Sequence, residues 1–149
     1  MNHEKHESHE KVLFKEACFG IQGAVFEVYR EMGPGFLEAV YQECLERELR
    51  TRGIPFERQP ALRLAYKNEA LEQCYRPDLV CCGQIIVELK AVRTLLPEHH
   101  AQVFHYLKAT GLERALLINF GTPRLDYKRF IQSENHLRPS APSAPSAVD

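Results

Sequence analysis

Residues 84–92 read QIIVELKAV, a predicted strand around which the other elements can be placed. Ile85, Ile86 and Val87 make it apolar on both faces near its start, which is typical of a strand that is covered on both sides. A carboxylate and an ammonium inside such a strand carry a desolvation cost unless they find partners. Because side chains alternate along a strand, Glu88 and Lys90 point to the same face. Taken alone, the stretch fits a functional pair and a solvated surface pair equally well.

A third charged residue precedes this strand. Asp78 follows Pro77 in a predicted strand over residues 70–82, and a turn at Gly83 joins the two strands. Asp78 lies ten residues before Glu88, so a hairpin can bring the two carboxylates together. Neighbouring carboxylates repel each other and need a cation, and oxygen ligands suit Mg²⁺ or Mn²⁺. Lys90 would then orient a water or offset charge on a phosphate. The alternative is that Asp78 is a turn residue after proline.

Hydrophobic periodicity places the other elements around this hairpin. Apolar residues recur at three- and four-residue steps before residue 51, and they alternate from Leu62 onward. Gly33-Pro34-Gly35 separates two helices, and Pro97 opens a third. The predicted order is ααβββαββ, with a three-strand meander: helices 12–32, 36–51 and 97–110, and strands 62–67, 70–82, 84–92, 114–120 and 125–131.

The two ends differ from the middle in composition. Residues 1–10 are charged and contain His3, His6 and His9, which could bind a metal weakly. Residues 133–149 include RPSAPSAPSAVD, a Pro/Ser/Ala-rich stretch that cannot build a core. The sequence therefore predicts a flexible N-terminus, one domain over residues 11–132 and a disordered tail.

Composition limits the class of protein. The chain has 149 residues, of which 44% are apolar and 26% charged, as expected for one globular domain. No apolar run approaches the roughly 18 residues of a membrane span, and no secretion signal is evident, so a cytoplasmic protein is expected. The odd number of cysteines favours reduced thiols in the core.

The charge of the chain gives no direct support to a nucleic-acid partner. The net charge is −1, whereas dedicated DNA-binding proteins are usually basic. A local basic surface remains open, with five contributors: Arg76, Lys90, Arg93, Lys108 and Lys128.

The motif Pro77-Asp78 followed by Glu88-Leu89-Lys90 resembles the PD-(D/E)xK nuclease superfamily. Residues 35–41, GFLEAVY, match the GxxExxY signature of a family of small bacterial proteins within it. The segments AQVFHYLK, from residue 101, and LINFG, from residue 117, extend the resemblance. It implies an α/β fold with a restriction-endonuclease-like core, a mixed sheet flanked by helices.

The resemblance also assigns roles to residues outside the central motif. Glu38 shares a helix stripe with Tyr41 and Leu45, and similar nucleases place a metal-ligating acid there. The alternative for Glu38 is an acid favoured by the helix dipole. Gln102 and Tyr106 share a helix face and resemble residues that line the active site or the DNA path. For them the alternative is a core tyrosine beside a surface glutamine.

These patterns predict a metal-dependent nuclease that hydrolyses phosphodiester bonds in DNA or RNA. In that function Asp78, Glu88, Lys90 and Glu38 would be catalytic, and the three acids would bind Mg²⁺ or Mn²⁺. The main alternative is a catalytically inactive module of the same fold that binds nucleic acid or protein. A structural subunit of a larger assembly is a third reading. The sequence leaves a homodimer or another protein partner open.

Overall fold

Three helices and seven strands form the part of the chain described by the computed structural model, which is residues 2–132 with side chains from residue 14 onward. The helices are α1 (Asn2–Met32), α2 (Glu38–Thr51) and α3 (Pro97–Thr110). The strands are β1 (Phe56–Arg58), β2 (Leu62–Tyr66), β3 (Glu69–Tyr75), β4 (Leu79–Cys81), β5 (Ile85–Lys90), β6 (Arg114–Asn119) and β7 (Asp126–Ile131).

A five-stranded mixed sheet occupies the centre, with the strand order β1-β4-β5-β6-β7. All neighbours run antiparallel except β5 and β6, which are parallel. Parallel strands need a long crossover connection, and α3 supplies it. The stretch quoted first, residues 84–92, contains the central strand β5. The sheet therefore confirms the predicted mixed α/β class.

Helices cover both faces of the sheet. Ile85, Val87 and Leu89 of β5 pack on the side of α1 and α2, where Tyr41 and Leu45 are fully buried. Ile86 points to the other face and packs with Val103 and Leu107 of α3. Because Glu88 and Lys90 share the alternation of Ile86, they project from the α3 face of the sheet. This is the single shared face that the sequence predicted.

The predicted three-strand meander is wrong. β2 and β3 form a separate two-stranded sheet, and β4 joins the central sheet instead. The break falls at Pro77, which has no N–H to donate and cannot continue a ladder. The short strand β1 was not predicted, and it fills the edge position next to β4. Two more strands thus lie between α2 and α3 than expected.

The predictions for the chain ends mostly concern parts that the structure does not describe. Helix α1 begins at Asn2 and not near residue 12, but the side chains of His3, His6 and His9 lie outside the described residues. The predicted tail over residues 133–149 lies outside them as well. Among the described residues, no helix is both long and apolar enough to span a bilayer. Of the five cysteines, Cys18 and Cys81 are buried in the core as predicted, whereas Cys44 and Cys74 are partly buried and Cys82 is exposed.

Candidate active site

Asp78 and Glu88 lie opposite each other at the start of β4 and near the end of β5. Leu79 pairs with Val87, so the next positions along the two strands bring these acids together. The Asp78 N–H donates to Oε1 of Glu88 at 3.2 Å, and the Leu89 N–H donates to Oδ2 of Asp78 at 2.7 Å. Each carboxylate is therefore held by the backbone of the other strand. The turn at Gly83 thus brings the two carboxylates together, as the sequence predicted.

The second oxygen of each acid is free to take another ligand. Within the described chain, Oδ1 of Asp78 and Oε2 of Glu88 accept no hydrogen bond, whereas Oδ2 and Oε1 are engaged. Carboxylate oxygens on neighbouring strands fit a hard divalent cation. The described residues contain no ready-made group of three or more His, Cys, Asp or Glu side chains that could hold a metal ion. Two carboxylates with free oxygens could supply part of the coordination shell of Mg²⁺ or Mn²⁺, and substrate and water would supply the remaining ligands.

Burial raises the pKa of both acids. Burial and the charge of Asp78 raise the pKa of Glu88 to about 7. Burial also raises the pKa of Asp78, although the Leu89 N–H and the charge of Lys90 act to lower it. A raised pKa means that the pair resists full ionisation when no cation is present. The site would therefore release a proton on binding a divalent ion near neutral pH.

Lys90 stands at the last position of β5, half-buried and without a salt bridge to any described residue. Its backbone oxygen accepts a hydrogen bond from the Phe120 N–H at 2.8 Å. Its charge lowers the pKa of Asp78, Glu88 and Glu38. The ammonium is thus close enough to act on all three acids and remains available for a substrate anion.

Asn119 fixes the strand end that carries Lys90, and sequence reasoning missed it. Its fully buried amide accepts from the Val92 N–H at 3.0 Å and donates to the Val92 carbonyl at 2.9 Å. Two residues later, Gly121 passes so close to Val92 that an added Cβ would lie 2.4 Å from its backbone oxygen. A glycine is required there by this close approach. A buried polar residue at the end of an apolar strand was the available signal.

Glu38 opens α2 and faces the same site. It is half-buried, and burial together with the charge of Asp78 raises its pKa. The preceding turn is held by the Tyr41 hydroxyl, which donates to the Gly33 carbonyl and accepts from the Phe36 N–H. The residues of the GxxExxY match thus place Glu38 within electrostatic range of Asp78. Its role as a metal ligand stays a prediction.

Tyr106 reaches the site through Tyr75, which sequence reasoning did not select. The Tyr75 hydroxyl donates to Oε1 of Glu88 at 2.5 Å, and its ring stacks on Tyr106 with centroids 3.4 Å apart. Burial and the charge of Glu88 raise the Tyr75 pKa, so this hydroxyl stays protonated. Gln102 is exposed, and its side chain makes no hydrogen bond within the described chain. The structure therefore links Tyr106 to the acids but gives Gln102 no contact with them.

The backbone of Asp78 is held from the other side by residues that the sequence did not single out. The Gln42 side chain donates to the Asp78 carbonyl at 3.2 Å, and the Gln59 N–H donates to the same oxygen at 3.0 Å. Gln42 is buried on α2, one turn after Glu38. A glutamine on the buried stripe of a helix was the signal that could have identified it.

The chain is similar to a known protein family and to a solved structure. A family model described as the PD-(D/E)XK nuclease superfamily matches residues 15–130, and no curated protein matches. A solved structure titled "Crystal structure of SSO0001" is similar with a TM-score of 0.49 and 19% identity. The match covers 66% of this chain and 52% of the other, so the chain spans about half the length of that protein. The mixed sheet flanked by helices is a restriction-endonuclease-like core, and the chain belongs to the PD-(D/E)XK nuclease superfamily.

Proposed function

We propose that this protein hydrolyses phosphodiester bonds in DNA or RNA with the help of a divalent cation. The observation that carries the proposal is the paired arrangement of Asp78 and Glu88, each with one free carboxylate oxygen, beside an unpaired Lys90 among the described residues. A pair of buried acids with raised pKa values needs a positive partner to ionise fully. Membership in a nuclease superfamily supports the choice of substrate.

Each residue has a distinct role in this proposal. Asp78 and Glu88 would hold Mg²⁺ or Mn²⁺, and Glu38 would add a third carboxylate from α2. The bound cation would supply Lewis-acid stabilisation of the charge that develops on the phosphate. Lys90 would place its ammonium against a non-bridging phosphate oxygen or the attacking water. Tyr75 keeps Glu88 oriented, and Tyr106 and Gln102 would contact the substrate from α3.

The decisive experiment measures cleavage and metal binding on the same samples. Single- and double-stranded DNA and RNA are incubated with Mg²⁺, with Mn²⁺ and with chelator, and metal affinity is measured by calorimetry. Asp78→Asn and Glu88→Gln should weaken metal binding and abolish cleavage, whereas Glu72→Gln, at an exposed position of β3, should change neither. Wild-type metal affinity in both site variants would exclude these acids as ligands.

An inactive binding module of the same fold is the second candidate. It is favoured by the lack of a ready-made three-ligand group among residues 14–132 and by the net charge of −1. This candidate predicts no cleavage under any metal condition, whether its partner is a nucleic acid or a protein. The same incubation separates the two functions, because metal binding and product formation are recorded independently.

The proposal also includes a narrower family, a cellular location and possible partners. The match of residues 35–41 to GxxExxY supports placement in that family. A cytoplasmic location and a homodimeric or other protein partner remain predictions from the sequence.

A further inference from the structure

An open cleft of about 720 Å³ lies beside the site, between α2 and the end of β1. Its walls carry three arginines, Arg47 and Arg50 from α2 and Arg58 from β1. The five basic residues that the sequence offered as a local surface do not include any of these. Lys128, one of the five, pairs instead with Asp126 on the far edge strand. Glu43 and Glu46 also line the cleft, so its basic side chains exceed its acidic ones by one, whereas the whole chain has a net charge of −1.

A nearly buried glutamate arranges two of the arginines. The Glu46 side chain is only 9% exposed, and its two oxygens lie 3.3 Å from Nε of Arg58 and 3.9 Å from Nη2 of Arg50. Each arginine side chain is itself 64% exposed. A guanidinium has five N–H donors, so one contact to Glu46 leaves most of them for another acceptor. Glu46 thus fixes two cationic groups at the cleft without using up their hydrogen-bonding capacity.

The third arginine is held weakly. Arg47 is 75% exposed, and its Nη2 lies 4.0 Å from Glu43, at the limit of an ion pair. Exposed pairs of this kind contribute little to stability. Arg47 can therefore turn toward a ligand at small cost.

Two residues of the cleft wall contact the backbone of Asp78. Gln42 and Gln59 line the cleft, and both donate hydrogen bonds to the carbonyl of Asp78. The carboxylate of Asp78 belongs to the pair with Glu88, while its carbonyl faces the cleft wall. The backbone of Asp78 therefore links the carboxylate pair to the wall of the cleft.

We propose that this arginine cleft binds the sugar–phosphate backbone of the nucleic-acid strand being cut, next to the scissile phosphate. Guanidinium groups match phosphate oxygens in geometry and charge. The inference rests on the proposed function and narrows its substrate to a polynucleotide that extends past the site along α2. A dinucleotide or a small phosphodiester would leave the cleft empty.

The test measures binding of a labelled oligonucleotide by fluorescence anisotropy in chelator, at several salt concentrations. The variants are Arg47→Gln, Arg58→Gln and their combination; Arg50 is retained so that Glu46 keeps a cationic partner. Arg129→Gln is the matched control, an exposed arginine on β7 at the opposite edge of the sheet. Each cleft variant should weaken binding about three- to tenfold and lower the salt exponent by about one, whereas the control should not. A dinucleotide should bind all variants equally.

Cleavage kinetics give the second readout. The cleft variants should raise KM for the oligonucleotide and leave kcat unchanged, because the arginines contact phosphates that do not react. Equal oligonucleotide affinity in wild type and the double variant, with cleavage intact, would overturn the cleft proposal alone. Failure of the wild type to bind any nucleic acid would overturn both the cleft and the proposed function. Melting curves verify folding, and Arg47→Gln serves as the variant least coupled to the fold.

Discussion

Replacing Glu88 with glutamine should stabilise the metal-free protein above neutral pH. Burial and the charge of Asp78 raise the pKa of Glu88 from 4.5 to about 7. The folded state therefore binds a proton more tightly than the unfolded state between these two values. Stability falls as pH rises through that range, because ionising Glu88 is harder in the folded protein.

The size of the effect follows from the same values. One pKa unit corresponds to about 1.4 kcal/mol, so ionised Glu88 costs the folded state at most about 3.5 kcal/mol above pH 7. A glutamine keeps an oxygen that can accept from the Tyr75 hydroxyl and the Asp78 N–H, as Oε1 does now. Because Asp78 and Glu88 titrate as a pair, part of the gain will appear as easier ionisation of Asp78. A gain of about 2 kcal/mol at pH 8 is expected, with little change at pH 5.

The assay is urea denaturation in chelator across this pH range, for wild type, Glu88→Gln and Glu43→Gln. Glu43 is 73% exposed, so its variant should stay within about 0.5 kcal/mol of wild type and keep the wild-type pH profile. Adding Mg²⁺ should stabilise the wild type and the control but not Glu88→Gln. A Glu88→Gln protein that is no more stable than wild type at pH 8, with an unchanged pH slope, would show that ionised Glu88 does not destabilise the folded protein.

Four further outcomes are expected. Lys90→Ala should keep the fold and metal affinity but lower the initial cleavage rate by about a hundredfold or more. Lys90→Arg should not fully restore that rate, because a planar guanidinium does not replace a compact ammonium. Equal cleavage rates for wild type and Lys90→Ala would exclude a catalytic role for Lys90. Asn119→Ala should lower the free energy of unfolding by about 2–3 kcal/mol, since the Val92 N–H and carbonyl both lose a buried hydrogen-bond partner. A decrease of less than about 1 kcal/mol in urea denaturation would contradict this role of Asn119. Tyr75→Phe should raise the pKa of Glu88 further, because the ionised form of Glu88 loses a hydrogen bond. NMR titration of the Glu88 carboxyl group measures this pKa, and an unchanged value would contradict the contact between Tyr75 and Glu88. Truncation after Arg138 should leave the melting temperature almost unchanged, and a fall of many degrees would show that the tail docks on the domain.

The sequence predicted the local part of the site and missed the part built by packing. The facing of Glu88 and Lys90 followed from strand alternation, and the approach of Asp78 followed from the separation across the Gly83 turn. Tyr75 could not be found in this way, because it ends a strand of the separate small sheet and reaches Glu88 only in the folded chain. Gln102 shows the opposite case, since its spacing to Tyr106 places it on the same helix but leaves it exposed.

For the fold, too, the sequence predicted the elements with a local periodic pattern and missed those that depend on long-range packing. Helix periodicity gave α2 and α3 nearly complete, because one face of each helix is buried against the sheet. The assignment of β3 and β4 to one strand failed, although Pro77 was the residue that could have signalled the break. The strand β1 has only three residues, too few for a periodic pattern to be seen. The cleft arginines were also beyond reach, since Arg58 meets Arg50 only through Glu46.

The single parallel pair, β5 with β6, has a consequence for the order in which the site assembles. The β4–β5 hairpin joins residues close in sequence, so Asp78 and Glu88 can meet early during folding. Pairing of Lys90 with Asn119 must wait until the chain through α3 has closed a much longer loop. We expect the two acids to come together before the lysine end of the strand is fixed. A nascent chain released before β6 is synthesised would then hold the acid pair on an exposed, apolar β5, the kind of segment that chaperones bind.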